Sequence, residues 1–186
     1  MNSKAKKVAV VGMLCALAFI TVVVIRIPII LFLKYEAKDI IISLGGFIFG
    51  PLTVLIISLI VSFIEMITIS TTGYIGFIMN VLSTFCFAGT AAIIYKKKHT
   101  VEGAILGLFC GVLVSTAAML AWNYFLTPIY MKLPREAVAD MLIPAFLPFN
   151  LFKNTLNAGG ALLIYKPVII GLRKAKLIES SKTNKN

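Results

Sequence analysis

Ile40 to Ile69 reads IIISLGGFIFGPLTVLIISLIVSFIEMITI, an apolar stretch whose one charged residue is Glu65. As a single helix rising about 1.5 Å per residue it would be about 45 Å long, against about 30 Å for a bilayer's hydrocarbon core. It must break or tilt steeply. Gly50-Pro51 supplies the break, because proline lacks an amide donor and disfavours helix in the residue before it. The reading is a short second helix, Asp39 to Phe49, tilted or partly re-entrant, followed by a third from Leu52 to Ile69.

Working outward, a first helix runs from Val8 to Ile25, ended by Arg26 and Pro28, and a polar segment from Lys34 to Asp39 leads into the second. Beyond the turn cluster Ser70-Thr71-Thr72-Gly73, a fourth span covers Tyr74 to Tyr95 and a fifth Gly103 to Phe125. A proline-marked connection, Thr127 to Asp140, precedes a sixth from Met141 to Gly171. Basic clusters at Lys4, Lys6 and Lys7, at Lys96 to Lys98, and at Arg173, Lys174, Lys176, Lys182 and Lys185 interrupt the apolar runs. Six spans put all three clusters on one face, the cytoplasmic one under the positive-inside rule; five would separate them. The expected fold is an all-α integral membrane protein, a six-helix transmembrane bundle over residues 8–172 with both termini cytoplasmic and basic tails at 1–7 and 173–186.

Composition agrees. Of 186 residues 60% are hydrophobic and 13% charged, with mean hydropathy +0.99, against roughly 45–50% and 25% in soluble domains. The net charge of +11 does not mark a nucleic-acid partner, because the cations punctuate apolar runs rather than covering a polar surface. The partner it implies is a lipid bilayer, crossed several times. Lys4 to Lys7 followed by Ala16-Leu17-Ala18 resembles a secretory signal, but the uncharged run continues to Ile25, the length of a full span. Cys15, Cys86 and Cys110 lie in apolar runs without paired spacing and read as small packing residues. His99 has no second ligand near it, so no metal site is expected.

Polar groups within spans are costly and functional by default. With this topology Glu65, Asn80, Trp122, Asn123 and Tyr124 all fall near the outer ends of their helices. Asn150, Lys153, Asn154 and Asn157 follow the i, i+3, i+4, i+7 spacing of one helix face, which must look inward because a lysine cannot face lipid cheaply. One reading is an interhelical clamp, for instance Lys153 with Glu65. The other is an outward-open pocket with apolar and aromatic walls and a few convergent polar points, suited to an uncharged heteroaromatic ligand. No Walker A, His-Glu-x-x-His or Gly-x-Ser-x-Gly motif is present, so the chain is not expected to be an enzyme or to power transport itself. Gly12 and Ala16, like Ala5 and Ala9, have the small-xxx-small spacing that admits a close helix, either within the bundle or from another protein.

From about Lys7 to Leu172 the chain resembles the substrate-binding S components of energy-coupling-factor (ECF) transporters, and among them the riboflavin-specific group. The resemblance is carried by Gly12-Met13-Leu14-Cys15-Ala16, Tyr35 to Asp39, Tyr74-Ile75-Gly76-Phe77-Ile78-Met79-Asn80, Asn123-Tyr124-Phe125-Leu126-Thr127-Pro128-Ile129-Tyr130, and Leu147-Pro148-Phe149-Asn150 with Lys153. It implies a riboflavin-binding subunit that accepts riboflavin, with FMN or flavin analogues as further candidates, as transported ligand and not as cofactor. The implied partners are a transmembrane coupling protein and two cytoplasmic ATPases, and the implied location is a bacterial cell membrane. The family's ligand contacts map onto Asn123, Asn150 and Lys153, with Asn80 and Gly76 beside them. Tyr35, Trp122, Tyr124 and Phe149 are candidate ring walls, and Asp39 with the loop before it is a candidate holder of the ribityl hydroxyls. Gly12, in place of the family's first alanine, and Ala16 are the implied docking positions for the coupling protein. An S component for another vitamin and a membrane scaffold stapled by Lys153 and Glu65 remain the alternatives.

Overall fold

The computed structural model describes residues 3–30 and 33–175; the basic residues Lys176, Lys182 and Lys185, and most of the tail they belong to, lie outside the described residues. Among the described residues, six helices and one β-hairpin make up the fold. Helix α1 is Ser3–Val24. Strands β1, Arg26–Ile30, and β2, Leu33–Glu36, pair antiparallel with Arg26 opposite Glu36. Helix α2 is Lys38–Phe49 and α3 is Pro51–Thr68. Helix α4 is Gly73–Lys97, with a π-helical turn at Phe85–Gly89; α5 is Val101–Met131. Helix α6 comprises Arg135–Met141, a π-turn at Leu142–Phe146, and Leu147–Lys174.

Among the described residues five helices are long and apolar enough to cross a bilayer, and α2 is not one of them. At 12 residues it is about 18 Å long, too short for a full crossing. The reason is the segment before it. Tyr35 to Asp39 is not an exposed polar connection but is buried throughout, because β2 runs down into the bundle. The strand covers part of the depth, and α2 begins already beneath the surface. The reversal at its end is set by Gly50, whose φ of 92° an L side chain adopts only with strain, and by Pro51 at the start of α3.

Helix α1 begins at Ser3 and not at Val8, and the largest departures from the boundaries expected from sequence are at the link between α5 and α6. Helix α5 does not stop at Phe125 but runs through Pro128 to Met131. Proline there removes its own bond to the carbonyl four residues back without ending the helix, and the stop comes where Lys132 takes a left-handed conformation. The expected connection, Thr127 to Asp140, is thus mostly helical, and only the short link around Leu133 and Pro134 separates α5 from α6.

Packing is close where glycine allows it. On α5, a Cβ at Gly107 would lie 2.7 Å from the Ala91 carbonyl oxygen, and one at Gly111 2.5 Å from that of Phe87. The backbones of α5 and α4 therefore approach closely along this four-residue repeat. The apolar core lies on this side, built from Val10, Leu14, Ile42, Leu44, Ile57, Phe87 and Leu108. Lys7 stands over the Phe49 ring at the end of α2, and Phe47, Tyr95 and Tyr165 pack edge to face. The start of α1 and the later part of α6 therefore share one end of the bundle, and the hairpin caps the other.

Candidate functional site

At the hairpin end an open cavity of about 640 Å³, its mouth included, is lined by β1, β2, the α3–α4 turn, α4, α5 and α6. Asn123, Asn150, Lys153, Asn80, Gly76 and Phe149 all line it, together with Arg26, Lys34, Ser83 and Met119. Six of the ten expected ligand residues thus converge on one space. Asn150, Lys153, Asn154 and Asn157 are all buried, so the polar face of α6 does look inward.

The other four sit elsewhere, for reasons of helix geometry and depth. Asp39 is wholly buried below the cavity: Thr84 Oγ1 donates to its Oδ1 at 2.6 Å, and Asn157 Nδ2 approaches its Oδ2 at 3.4 Å. Tyr35 lies at the same depth, its hydroxyl donating to Asn157 Oδ1 at 3.2 Å. These two support the floor and do not line the cavity. Trp122 lines a separate, mainly apolar groove with Ile75, Leu126 and Tyr130, adjoining the cavity at Thr72, Gly76 and Met79. Tyr124 is partly exposed and packs on Phe125. With Asn123 and Thr127 facing inward one turn apart, the position after Asn123 is rotated about 100° away.

From the cavity lining at Arg26 and Glu36 into the buried interior runs a network that hydropathy could not resolve. Lys38 is fully buried, and its Nζ donates to Glu36 Oε2 at 2.8 Å and to the two Glu65 oxygens at 2.7 and 2.8 Å. Glu65 is therefore paired to Lys38 and not to Lys153, so the Lys153–Glu65 pair considered from the sequence is not formed; Lys153 instead stands 3.6 Å from Asp39 Oδ2. Glu36 also meets Arg26 Nε at 3.2 Å, and Arg26 Nη1 donates to the Ile69 carbonyl at 2.8 Å. Burial opposes ionisation of Glu36, in the hairpin, but the Lys38 ammonium and its hydrogen bond, with Lys153 and Arg26 nearby, hold its carboxyl below the ordinary glutamate value. The buried Lys38 and Lys153, with the partly exposed Arg26, match the buried Glu36, Asp39 and Glu65 in number.

Lys153 is held differently. Its Nζ is 3.6 Å from Asp39 Oδ2 and 3.5 Å from Ser83 Oγ, both long for an ammonium with three donors. It keeps donor capacity facing the cavity. Asn150 donates its amide N–H to the Phe146 carbonyl at 2.8 Å, at the end of the π-turn, and its Oδ1 has no partner among the described residues. Asn123 is more constrained: Nδ2 donates to the Met119 carbonyl at 2.7 Å and Oδ1 accepts from Thr127 at 2.8 Å. The cavity therefore presents a cationic donor beside an amide acceptor, one helical turn apart on α6, with Phe149 adjacent.

The sequence missed Lys38, Glu36 and Arg26. The available signal was the charge cluster in Tyr35-Glu36-Ala37-Lys38-Asp39, which reads equally as a solvated loop until β2 is known to descend. On α1, Ala5, Ala9, Gly12 and Ala16 are all exposed, and a Cβ added at Gly12 would meet nothing within 4 Å. Gly12 and Ala16 thus face away from the bundle rather than packing within it.

Comparison with known proteins gives a consistent result. The family model described as ECF transporter, substrate-specific component, matches residues 6–169. The riboflavin transporter RibU of Staphylococcus aureus is 28% identical over 169 residues, covering 87% of this chain and 89% of that one. The riboflavin transporter FmnP of Bacillus subtilis is 27% identical over 163 residues, covering 81% and 85%. A solved S component of a bacterial ECF transporter superposes with a TM-score of 0.78 at 26% identity, covering 91% of this chain and 99% of that one.

Proposed function

The chain belongs to the substrate-specific components of ECF transporters, a multi-pass membrane family of transport and not of catalysis, and we propose that its ligand is riboflavin. The observation that carries this reading is the pairing on α6 of Lys153, with unspent donors, and Asn150, with an unspent amide oxygen. Riboflavin's pyrimidine edge sets carbonyl acceptors on either side of an imide N–H; Asn150 Oδ1 takes the N–H and Lys153 donates to a carbonyl. Phe149 and Met119 offer apolar surface to the ring, and Asn123 shapes the edge of the site. The curated relatives named as riboflavin transporters support the same ligand.

In this proposal the cavity opens outward from a bacterial cell membrane and both termini lie in the cytoplasm, where the basic residues of the opposite end meet the positive-inside rule. Capture needs no ATP. Release inward needs a transmembrane coupling protein and two ATPases, and the exposed Gly12 and Ala16 of α1 form the docking face. Titration of the purified protein with riboflavin is the test. Saturable quenching of flavin fluorescence at one ligand per chain is expected; unquenched flavin at high protein concentration would refute the reading.

A further inference from the structure

The end of the bundle opposite the cavity carries a repeated pattern of its own, and contacts between helices fix its level. The Tyr95 and Tyr165 hydroxyls meet, and the Phe47 ring packs on both side chains. Helices α4 and α6 therefore reach the same depth at these residues, and the next residue on each is a lysine, Lys96 and Lys166. Helix α1 joins them, since Lys7 Nζ lies 5.5 Å from the centre of the Phe49 ring, two residues beyond Phe47.

At this level three helices repeat one arrangement. Lys4 and Val8 on α1, Ile93 and Lys96 on α4, and Leu163 and Lys166 on α6 stand three or four residues apart, hence on one face of their helix. In each pair the lysine is exposed at the rim. Its apolar companion lies one turn deeper in the bilayer and also faces away from the bundle, Val8 at 71% exposure, Ile93 at 46% and Leu163 at 79%. Charge here has one sign: Lys97 and Lys98 add to it, and Glu102 is the one acid at this end among the described residues. Beyond the cavity, by contrast, Lys132 and Arg135 stand beside Glu136 and Asp140. A cluster of lysines at a membrane surface attracts anionic headgroups at equilibrium, whatever part the same lysines play in orienting the chain during insertion.

We propose that this rim is a binding site for anionic phospholipid, in which Lys4, Lys96 and Lys166 hold the headgroup charge while Val8, Ile93 and Leu163 carry the start of the acyl chains. The occupant is a lipid and not a free phosphate because each cation comes with an apolar contact on its bilayer side, the two halves of an amphiphile. The site is remote from the flavin cavity and stands or falls apart from the riboflavin reading.

The test is native mass spectrometry of the purified, detergent-solubilised protein, where insertion no longer matters, after addition of phosphatidylglycerol and phosphatidylcholine in equal amounts. Wild type should retain phosphatidylglycerol in clear excess. One lysine at an anionic surface is worth about fivefold in affinity. Lys4→Gln, Lys96→Gln and Lys166→Gln together should therefore remove most of the excess, whereas Lys4→Arg, Lys96→Arg and Lys166→Arg should keep it. Ile93→Asn with Leu163→Asn should lower retention of both lipids, and inorganic phosphate at the same concentration should displace neither. Equal retention of the two lipids by wild type overturns the proposal. So does an undiminished excess in the triple Lys→Gln variant, whose size-exclusion elution should match wild type because the three side chains are exposed. Displacement by inorganic phosphate overturns it as well, since the rim would then hold a free anion.

Discussion

Lys38 and Lys153 lie in one buried network, yet one is closed off by its partners and the other stands at an open cavity. Around Lys38, β2, α2 and α3 meet through three contacts of 2.7–2.8 Å, and nothing is left for a ligand. Around Lys153, α2, α4 and α6 meet through contacts of 3.5 and 3.6 Å, at the edge of an open cavity. A buried charge is costly unless paired, so an incompletely satisfied one marks where a partner is still to come. The difference teaches that a lysine inside a membrane bundle is read by its partners and not by its depth.

Removing the charge in each region should break the molecule in opposite ways. Lys38→Met leaves Glu36 and Glu65 buried without their cation, a change of the kind that costs about 3–5 kcal/mol. We expect most of this variant to be lost as aggregate or unfolded chain in size-exclusion chromatography; a well-folded, flavin-binding Lys38→Met would dissolve the distinction. Asn150→Ala should sharpen it on the binding side: the acceptor for the imide is gone and the ligand's N–H is left unpaired, so affinity should fall about 10- to 100-fold with elution unchanged. The smallest effect on binding is expected from Gly12→Leu. Its side chain enters open space on α1, so riboflavin titration should match wild type while uptake in cells containing the coupling complex is lost. Lost binding there would make α1 a wall of the site.

The sequence made the helices legible because each span had to be apolar over a bilayer's thickness, and the inward face of α6 because Asn150, Lys153, Asn154 and Asn157 recur at helical spacing. It also grouped Asn80, Asn123, Asn150 and Lys153 by depth. What escaped it was set by tertiary structure. The run Arg26-Ile27-Pro28-Ile29-Ile30 is too short for periodicity to separate strand from helix end, so the hairpin went unseen, and with it the burial of Glu36, Lys38 and Asp39. The pairing of Glu65 with Lys38 followed the same path, since only the descent of β2 brings the two together. Tyr124 was grouped with the site by depth and as an aromatic wall; its rotation about α5 places it partly exposed against Phe125.

The most direct measurement is thermal unfolding of wild type and Lys153→Met, each with and without saturating riboflavin. A ligand that binds only the native state raises its stability in proportion to the logarithm of its concentration over Kd. Wild type should therefore gain several degrees with riboflavin. Lys153→Met should lose some ligand-free stability, because Asp39 loses the cation at 3.6 Å, but less than Lys38→Met, because Asp39 keeps its bonds from Thr84 and Asn157, and it should gain nothing from the flavin. A full riboflavin shift in Lys153→Met, or a collapse of its ligand-free stability to that of Lys38→Met, would contradict the assignment of Lys153 to the ligand.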